Sequence, residues 1–185
     1  MITLASGSPR RRDLLAPLFD LVVAPVAVDE TPRPGEAALP YALRMALEKC
    51  RGEGLWVLSA DTVVHDDEGR LYNKPVDAQD AERMLLELSG RSHRVTTAFA
   101  LNGNAQAVTS RVSFRRLSPA EVRGYVATGE PLDKAGAYGI QGVGGFLVEA
   151  VAGSYSNIVG LPLAEVIAAL AQAGGPRPFE REGAR

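Results

Sequence analysis

The stretch Ile2-Thr-Leu-Ala-Ser-Gly-Ser-Pro-Arg-Arg-Arg-Asp-Leu-Leu15 predicts a strand, a turn and a helix in direct succession. Residues 2–5 form a short apolar segment that is typical of a buried strand, and Gly7 lies in the turn after it. Ser8 is a favourable N-cap residue, and Pro9 suits the first helical position, where its missing N–H costs nothing. Leucines at helical spacing extend the predicted helix to about Leu18.

The first turn of this predicted helix carries three arginines, Arg10, Arg11 and Arg12. The helix dipole presents positive charge at that end, so each cation there is opposed by roughly 0.3–1 kcal/mol. An anion held by the helix N-terminus, the arginines and the hydroxyls of Ser6 and Ser8 would remove this conflict, so the pattern predicts a phosphate site. A solvated basic turn, with Ser8 as an ordinary cap, explains this stretch alone equally well.

Length and composition indicate one domain, or two closely joined lobes, of a globular protein. Of the 185 residues, 46% are hydrophobic, and the formal net charge of −2 argues against a dedicated nucleic-acid-binding protein. The chain has neither an apolar run of about 18 residues nor a signal-peptide pattern, so we expect no membrane association. A single cysteine, Cys50, excludes an internal disulfide and favours a cytoplasmic location.

Short apolar runs alternate with helical patterns along the rest of the chain, which predicts an α/β fold. Predicted strands cover residues 21–24, 55–64, 71–72, 94–101, 108–115 and 146–151. Predicted helices begin at Pro40, after the N-caps Asp77 and Ser118, and at Pro162. The first of these helices is predicted to bury Leu39, Leu43, Ala46, Leu47 and Cys50. No linker separates independent domains, so residues 1–173 are predicted to form one domain and 174–185 a disordered tail.

Several polar residues are not needed for folding and lie at the ends of elements or in loops, where sites on α/β sheets form. Asp61 interrupts an apolar run, and a carboxylate there has to be paired, bound to a metal or exposed at a strand end. Glu30, Lys49 and Lys74 are each explained individually as surface residues. Together with the arginines, however, this mixture of acids and cations suits a polyphosphate that shares its charge with a divalent metal.

Six segments carry a resemblance to one known family. In order, they are Ala5-Ser-Gly-Ser-Pro-Arg-Arg-x-x-Leu-Leu15, Ser59-Ala-Asp-Thr-Val-Val64, Asn73-Lys-Pro75, Leu88-Ser-Gly-Arg-Ser-His93, Gly129-Glu-Pro-Leu-Asp-Lys-Ala-Gly-Ala-Tyr-Gly-Ile-Gln-Gly142 and Gly153-Ser-Tyr-Ser-Asn-Ile-Val-Gly-Leu-Pro162. The chain thereby resembles the Maf family of nucleoside triphosphate pyrophosphatases from Leu4 to about Val166. The segment from Glu130 to Gly142 is its most specific part.

The resemblance implies a two-lobed mixed α/β fold with a central cleft, similar to that of inosine triphosphate pyrophosphatases. It also implies hydrolysis of a nucleoside triphosphate to the monophosphate and pyrophosphate, with Mg²⁺, or Mn²⁺ in its place, as the cofactor. Asp61 would be the family's proton acceptor, or would hold the metal that activates water, and Glu30 would be its acidic partner at the metal. The phosphates would be bound by Lys49, Lys74 and Arg11 or Arg12, with Ser6 and Ser8 beside them.

The resemblance extends to the substrate. The pyrimidine branch of the family carries Arg, Thr and Gln at three specificity positions, which here are Arg10, Thr62 and Gln141. The chain therefore resembles the dTTP/UTP pyrophosphatases, with modified pyrimidine nucleotides as a further substrate class. A homodimer is also implied, and the short segment between Lys49 and Asp61 departs from the family pattern. The alternative hypothesis is a nucleotide-sensing regulator of septum formation that acts by protein contact.

Overall fold

The computed structural model describes residues 1–180 and contains a seven-stranded mixed sheet flanked by helices. The strands are β1 (Ile2–Leu4), β2 (Leu21–Val23), β3 (Val57–His65), β4 (Leu71–Tyr72), β5 (Ser92–Leu101), β6 (Asn104–Phe114) and β7 (Val148–Ala152). The helices are α1 (Pro9–Leu15), α2 (Ala38–Lys49), α3 (Ala78–Leu88), α4 (Pro119–Val126), α5 (Tyr155–Val159) and α6 (Leu163–Gln172). Three short 3-10 segments, Glu130–Asp133, Ala135–Ala137 and Val143–Leu147, lie between α4 and β7. The predicted α/β class is confirmed.

The sheet runs in the order β2-β1-β3-β5-β6-β7, with β4 beside one end of β3. β1 is parallel to both β2 and β3, whereas all later pairs are antiparallel. The mixed topology follows from the connections. β1 reaches its two neighbours through helices, while β5 and β6 are joined by the tight turn at Asn102 and Gly103, where both residues have positive φ.

The edge of β3 next to β1 is only partly covered. β5 pairs with the other edge of β3 from Leu58 to His65. On this edge, β1 pairs only with Val57 and Leu58, and β4 only with Val64 and His65. Within the described residues, positions 59–63 therefore have no strand partner on this side. The middle of a central strand is thus open to a ligand.

Three buried apolar clusters surround this open edge. One is built around α1 and α6 and includes Leu4, Leu58 and Leu170. A second lies beneath α2 and includes Met45, and a third joins α3 and α4 to the far end of the sheet and includes Phe114. Burial of these side chains is the dominant favourable term for folding. The predicted inward residues of α3, namely Ala81, Met84, Leu85 and Leu88, are all buried.

The predicted buried face of α2 is wrong in part, because Ala46 is buried and Leu43 and Cys50 are only partly buried. Leu39 and Leu47 are exposed, and the face against the sheet instead carries Tyr41, Ala42, Met45, Ala46 and Lys49. Small residues on this face allow the helix axis to lie close to the sheet, and Lys49 is buried because it pairs with acids there. Apolar periodicity cannot identify such a face when its last residue, Lys49, is a charged residue that is buried in an ion pair.

Two further expectations differ from the structure. The helix α1 ends at Leu15 rather than at Leu18. Ser8 occupies the N-cap position but its side chain makes no capping hydrogen bond; instead its amide donates to Ser6 Oγ at 3.3 Å. Within residues 1–180, no helix is both long and apolar enough to span a membrane.

The chain after α6 returns to the body of the protein. The Gly175 amide donates to Leu170 O, and the Phe179 amide donates to Leu18 O, each at 2.8 Å. The predicted disordered tail thus includes a part, residues 174–180, with defined backbone contacts. Residues 181–185 lie outside the described residues, and the prediction for them stays a prediction.

Candidate active site

A cleft of about 820 Å³ opens at the uncovered edge of β3. It is bordered by the loop after β1, by α1, by α2 and by the irregular segment between α4 and β7. Ligands commonly bind at the carboxyl ends of parallel strands, which is where β1 leaves the sheet. The predicted site residues that line this cleft are Ser6, Ser8, Arg10, Arg11, Glu30, Lys49, Asp61, Thr62, Lys74 and Gln141.

Arg12 is the predicted site residue that the structure does not bring into the cleft. Its guanidinium is exposed and bonds to the neighbouring Asp13 at 2.9 Å. Successive helical residues point in directions about 100° apart, so Arg10, Arg11 and Arg12 cannot all face one ligand. The sequence left Arg11 and Arg12 as alternatives for phosphate binding, and the geometry favours Arg11.

An acid–base cluster with a buried centre at Lys49 and Asp61 forms on the α2 side of β3. Lys49 Nζ lies 2.6 Å from Asp61 Oδ1 and 2.6 Å from Glu30 Oε1. Lys74 Nζ lies 3.6 Å from the other oxygen of Glu30. The side chains of Lys49 and Asp61 are only 10% and 13% exposed, so each charge depends on the other for compensation. Of the three environments that the sequence allowed for Asp61, the structure shows a paired carboxylate, with Lys49 as its partner.

Glu30 is ionised in this arrangement. Burial alone would raise the pKa of Glu30, but the hydrogen bond from Lys49 and the charges of Lys49 and Lys74 outweigh burial and hold its pKa below the ordinary value. The loop that carries Glu30 is attached to α2 by Tyr41, whose hydroxyl donates to the Glu30 carbonyl at 2.6 Å. A single helix therefore positions both Lys49 and Glu30.

Arg11 forms a second, separate cluster on the α1 side of β3. Its Nε donates to Gly160 O at 2.8 Å, and its terminal nitrogens donate to Ser6 Oγ at 3.0 Å and to Thr62 Oγ1 at 3.1 Å. Asp61 and Thr62 are consecutive on β3, so their side chains point to opposite faces of the sheet. The open edge of the strand thus lies between the lysine–carboxylate cluster and the arginine.

The charge of Arg11 is not neutralised by a direct partner. All three acceptors are neutral oxygens, and no carboxylate within residues 1–180 forms an ion pair with it. Burial lowers the pKa of Arg11, while the more distant charge of Asp61 acts in the opposite direction; an arginine nevertheless remains protonated in proteins. A partly buried cation with neutral partners is a suitable receptor for phosphate.

Glu130 holds the irregular segment that carries Gln141. Its Oε1 accepts hydrogen bonds from Tyr125 Oη at 2.8 Å and from the Gly144 amide at 3.0 Å, and its Oε2 accepts one from the Val143 amide at 3.0 Å. Burial alone would raise the pKa of Glu130, but these hydrogen bonds outweigh it and the pKa lies below the ordinary value. One ionised carboxylate therefore fixes two adjacent backbone amides.

The position before these amides requires glycine. Gly142 has φ of 71°, and a Cβ built there would lie 2.8 Å from Glu130 Oε2. Gln141, next to it, is exposed and lines the cleft. Arg10 faces the same segment and pairs with Asp133 at 3.5 Å across the cleft. Arg10 thus links α1 to the irregular segment.

The two carboxylates next to Lys49 could supply some, but not all, of the oxygen ligands of a divalent cation such as Mg²⁺. Asp61 and Glu30 each place a carboxylate oxygen on the same ammonium group, and Mg²⁺ typically takes one or two carboxylates together with substrate phosphates and water. Within residues 1–180, no group of three or more His, Cys, Asp or Glu side chains could hold an ion. An ion held by these two carboxylates would therefore take its remaining oxygen ligands from water or from a bound phosphate.

Comparison with known proteins identifies the family of this chain. Residues 1–173 match the family described as Maf-like protein. The chain belongs to the Maf family. It is 52% identical to a protein of Myxococcus xanthus over 97% of this chain and 95% of the relative, and 53% identical to one of Anaeromyxobacter dehalogenans over 97% of each. A protein of Yersinia pestis is 50% identical over 88% of this chain and 87% of the relative. All three relatives are named dTTP/UTP pyrophosphatase.

Sequence reasoning missed three residues that support the Maf site. Tyr41 holds the Glu30 loop. Behind Arg11, Thr97 contacts both Thr62 and Asn157, and Asn157 lies on α5. None of them lies in a charged or glycine-rich pattern. The available signal was Asn157, which lies in the quoted segment Gly153–Pro162 and is unfavourable in a helix unless its side-chain amide is hydrogen-bonded.

Proposed function

We propose that this protein is a metal-dependent nucleoside triphosphate pyrophosphatase that hydrolyses dTTP and UTP to the nucleoside monophosphate and pyrophosphate. The observation that carries the proposal is the arrangement of Asp61, Glu30 and Lys49 opposite Arg11 at one open strand edge. Acids that can activate water and cations that can bind phosphate then face the same space. The names of the relatives support the substrate.

Asp61 would accept the proton of the attacking water. Lys49 holds Asp61 Oδ1 at 2.6 Å, and Oδ2 has no hydrogen-bond partner among residues 1–180. The water oxygen would form a bond to the α-phosphorus while the bond from that phosphorus to the bridging oxygen of the β-phosphate breaks. Placement of the acceptor within hydrogen-bond reach of water is the first requirement for such general-base catalysis.

Arg11, Arg10 and Lys74 would bind the phosphates, with the hydroxyls of Ser6 and Ser8 beside them. The departing pyrophosphate gains negative charge, so these cations would bind the transition state more tightly than the substrate. Mg²⁺, if held by Asp61 and Glu30, would lower the pKa of bound water and polarise phosphoryl oxygens; Mn²⁺ suits the same oxygen ligands.

Gln141 would contact the base. Its amide offers one acceptor and two donors, which complement the alternating carbonyl and N–H groups on the edge of uracil or thymine. Modified pyrimidines that keep this edge would fit the same contact. The relatives' names do not favour the alternative, a regulator of septum formation. The homodimer and the cytoplasmic location stay predictions.

The test is pyrophosphate release from dTTP and UTP in the presence of Mg²⁺. Asp61→Asn should lower kcat by at least about 100-fold, which is the usual contribution of a general base. Asp67→Asn is the matched control, because Asp67 pairs with Arg94 and Arg111 rather than lining the cleft. If the wild-type protein releases no pyrophosphate from a panel of pyrimidine and purine triphosphates, the proposal is wrong. Nucleotide binding without turnover would support the regulator instead.

A further inference from the structure

We propose that Thr97 and Asn157 are positioning residues that hold Arg11 in one orientation for phosphate binding. This inference rests on the proposed function and names a part of its machinery that touches no substrate. The observation behind it is an unbroken row of hydrogen bonds that runs from the guanidinium, through two threonine hydroxyls, into the buried interior.

The row begins at the cleft and ends at α5. Arg11 donates to Thr62 Oγ1 at 3.1 Å, and Thr62 Oγ1 lies 2.9 Å from Thr97 Oγ1. Thr97 Oγ1 in turn donates to the Asn157 carbonyl at 2.8 Å. Thr97 and Asn157 are both fully buried, so water cannot replace either partner.

The donor in each hydrogen bond of this row follows from the number of protons that each group carries. A threonine hydroxyl has one proton, and that of Thr97 is committed to the Asn157 carbonyl. The bond between the two threonines must therefore be donated by Thr62. The Thr62 hydroxyl then donates to Thr97 and accepts from Arg11, so it helps to orient the arginine.

Asn157 also positions Gly160, whose carbonyl accepts the hydrogen bond from Arg11 Nε. Its side-chain amide donates to Val95 O at 3.0 Å and to Ser110 Oγ at 2.9 Å, and its Oδ1 accepts from the Thr97 amide at 3.1 Å. This attaches α5 to β5 and β6. Gly160, directly after α5, donates its amide to the Asn157 carbonyl at 3.0 Å and offers its own carbonyl to Arg11 Nε.

Arg11 is therefore held at three points, and two of them depend on Asn157. A guanidinium has five N–H bonds. Three are used by Gly160, Ser6 and Thr62, and the remaining two have no partner within the described residues. The network defines which two N–H bonds stay available for a phosphate. It also assigns Thr62, one of the specificity positions, a role in phosphate binding.

The test compares two adjacent threonines on β5. Thr97→Val removes the hydroxyl from the row, whereas Thr96→Val removes an equally buried hydroxyl that bonds to His65 and Thr109 instead. We expect Thr97→Val to lower kcat/KM for UTP by about tenfold, because the Thr62 hydroxyl is then no longer fixed as the acceptor of the hydrogen bond from the charged Arg11. Thr96→Val should stay within about twofold, and Thr97→Ser, which keeps the hydroxyl, should restore most of the activity. If Thr97→Val does not fold, Thr97→Ala against Thr96→Ala gives the same comparison.

A double-mutant cycle identifies Arg11 as the group that is positioned. In an Arg11→Lys background, Thr97→Val should have no further effect, because the arrangement that it disturbs is already lost. An equal loss in both backgrounds, or an equal loss for Thr96→Val and Thr97→Val, would overturn the inference. The same variants are compared for their affinity for inorganic tripolyphosphate by calorimetry without metal. This readout judges the positioning role even if the wild-type protein proves to have no turnover, in which case the proposed function alone fails.

Discussion

At the scale of single residues, Lys49 is the cation that keeps two acids together. Its ammonium group lies 2.6 Å from Asp61 and 2.6 Å from Glu30, and the lysine is only 8% exposed. Without that charge, the two carboxylates would repel each other, and the buried Asp61 would be poorly solvated. Removal of one partner from a buried pair costs much more than the pair contributes in net stability, because the remaining charge loses its compensation.

Lys49→Met should lower the free energy of unfolding at pH 7 by about 3 kcal/mol in metal-free buffer. The deficit should shrink as the pH falls, because the crowded carboxylates of the folded variant take up a proton more readily than those of the unfolded chain. Mn²⁺ should stabilise the variant more than the wild type, since an ion can replace the missing cation. Urea unfolding with and without Mn²⁺ measures both effects.

Lys134→Met is the matched control for this change. Lys134 also lines the cleft, but its one carboxylate partner, Asp133, is 68% exposed. Its loss should cost about 1 kcal/mol or less and should not create a response to Mn²⁺. If Lys49→Met likewise fails to respond to Mn²⁺, Asp61 and Glu30 do not hold a metal without a phosphate ligand.

At the scale of elements, the sequence predicted those parts of the fold that depend on residues close together along the chain. The capping box Ser118–Glu121, the N-cap Asp77 and the turn at Asn102 are all local, and all three are present. The buried face of α2 and the orientation of Arg12 depend on which elements pack together. Composition and spacing do not contain that information. The family resemblance named residues of the cleft but not the side chains to which they are hydrogen-bonded.

Glu130 shows how an irregular element can be held by one side chain. Glu130→Gln keeps the shape but replaces one acceptor oxygen with a donor, so an amide of Val143 or Gly144 loses its partner. The segment that carries Gln141 should then be less well ordered. We expect KM for UTP and dTTP to rise by about five- to tenfold with kcat within about twofold, as for a loss of binding shared by substrate and transition state.

Glu121→Gln provides the control for Glu130→Gln. Glu121 also accepts backbone and side-chain hydrogen bonds, from Ser118 and Arg115, but these lie at the start of α4 outside the cleft. Its substitution should lower the midpoint of thermal unfolding and leave KM unchanged. An unchanged KM for Glu130→Gln would show that Gln141 does not depend on this carboxylate.

At the scale of the whole molecule, one histidine connects the core to the wall of the cleft. His93 on β5 is 1% exposed, and its ring contacts the rings of Phe114 and Tyr138 edge to face. Its Nε2 lies 2.8 Å from Tyr138 Oη, and its Nδ1 has no hydrogen-bond partner within residues 1–180. Tyr138 lines the cleft. The protonation of His93 therefore affects the core of the protein and the cleft wall together.

Burial lowers the pKa of His93 to about 4, whereas a histidine in the unfolded chain has a pKa near 6.5. Between these values the unfolded state binds one more proton than the folded state. The free energy of unfolding should thus fall by about 1.4 kcal/mol for each pH unit below 6.5. Urea unfolding from pH 6.5 to pH 5 measures this slope, and His93→Phe should remove the part that comes from His93, even if the variant is less stable at every pH. His65→Asn, at the other histidine of the sequence, is the control because it leaves His93 and its partner Tyr138 in place. Equal slopes for wild type and His93→Phe would mean that His93 does not remain neutral in the folded protein.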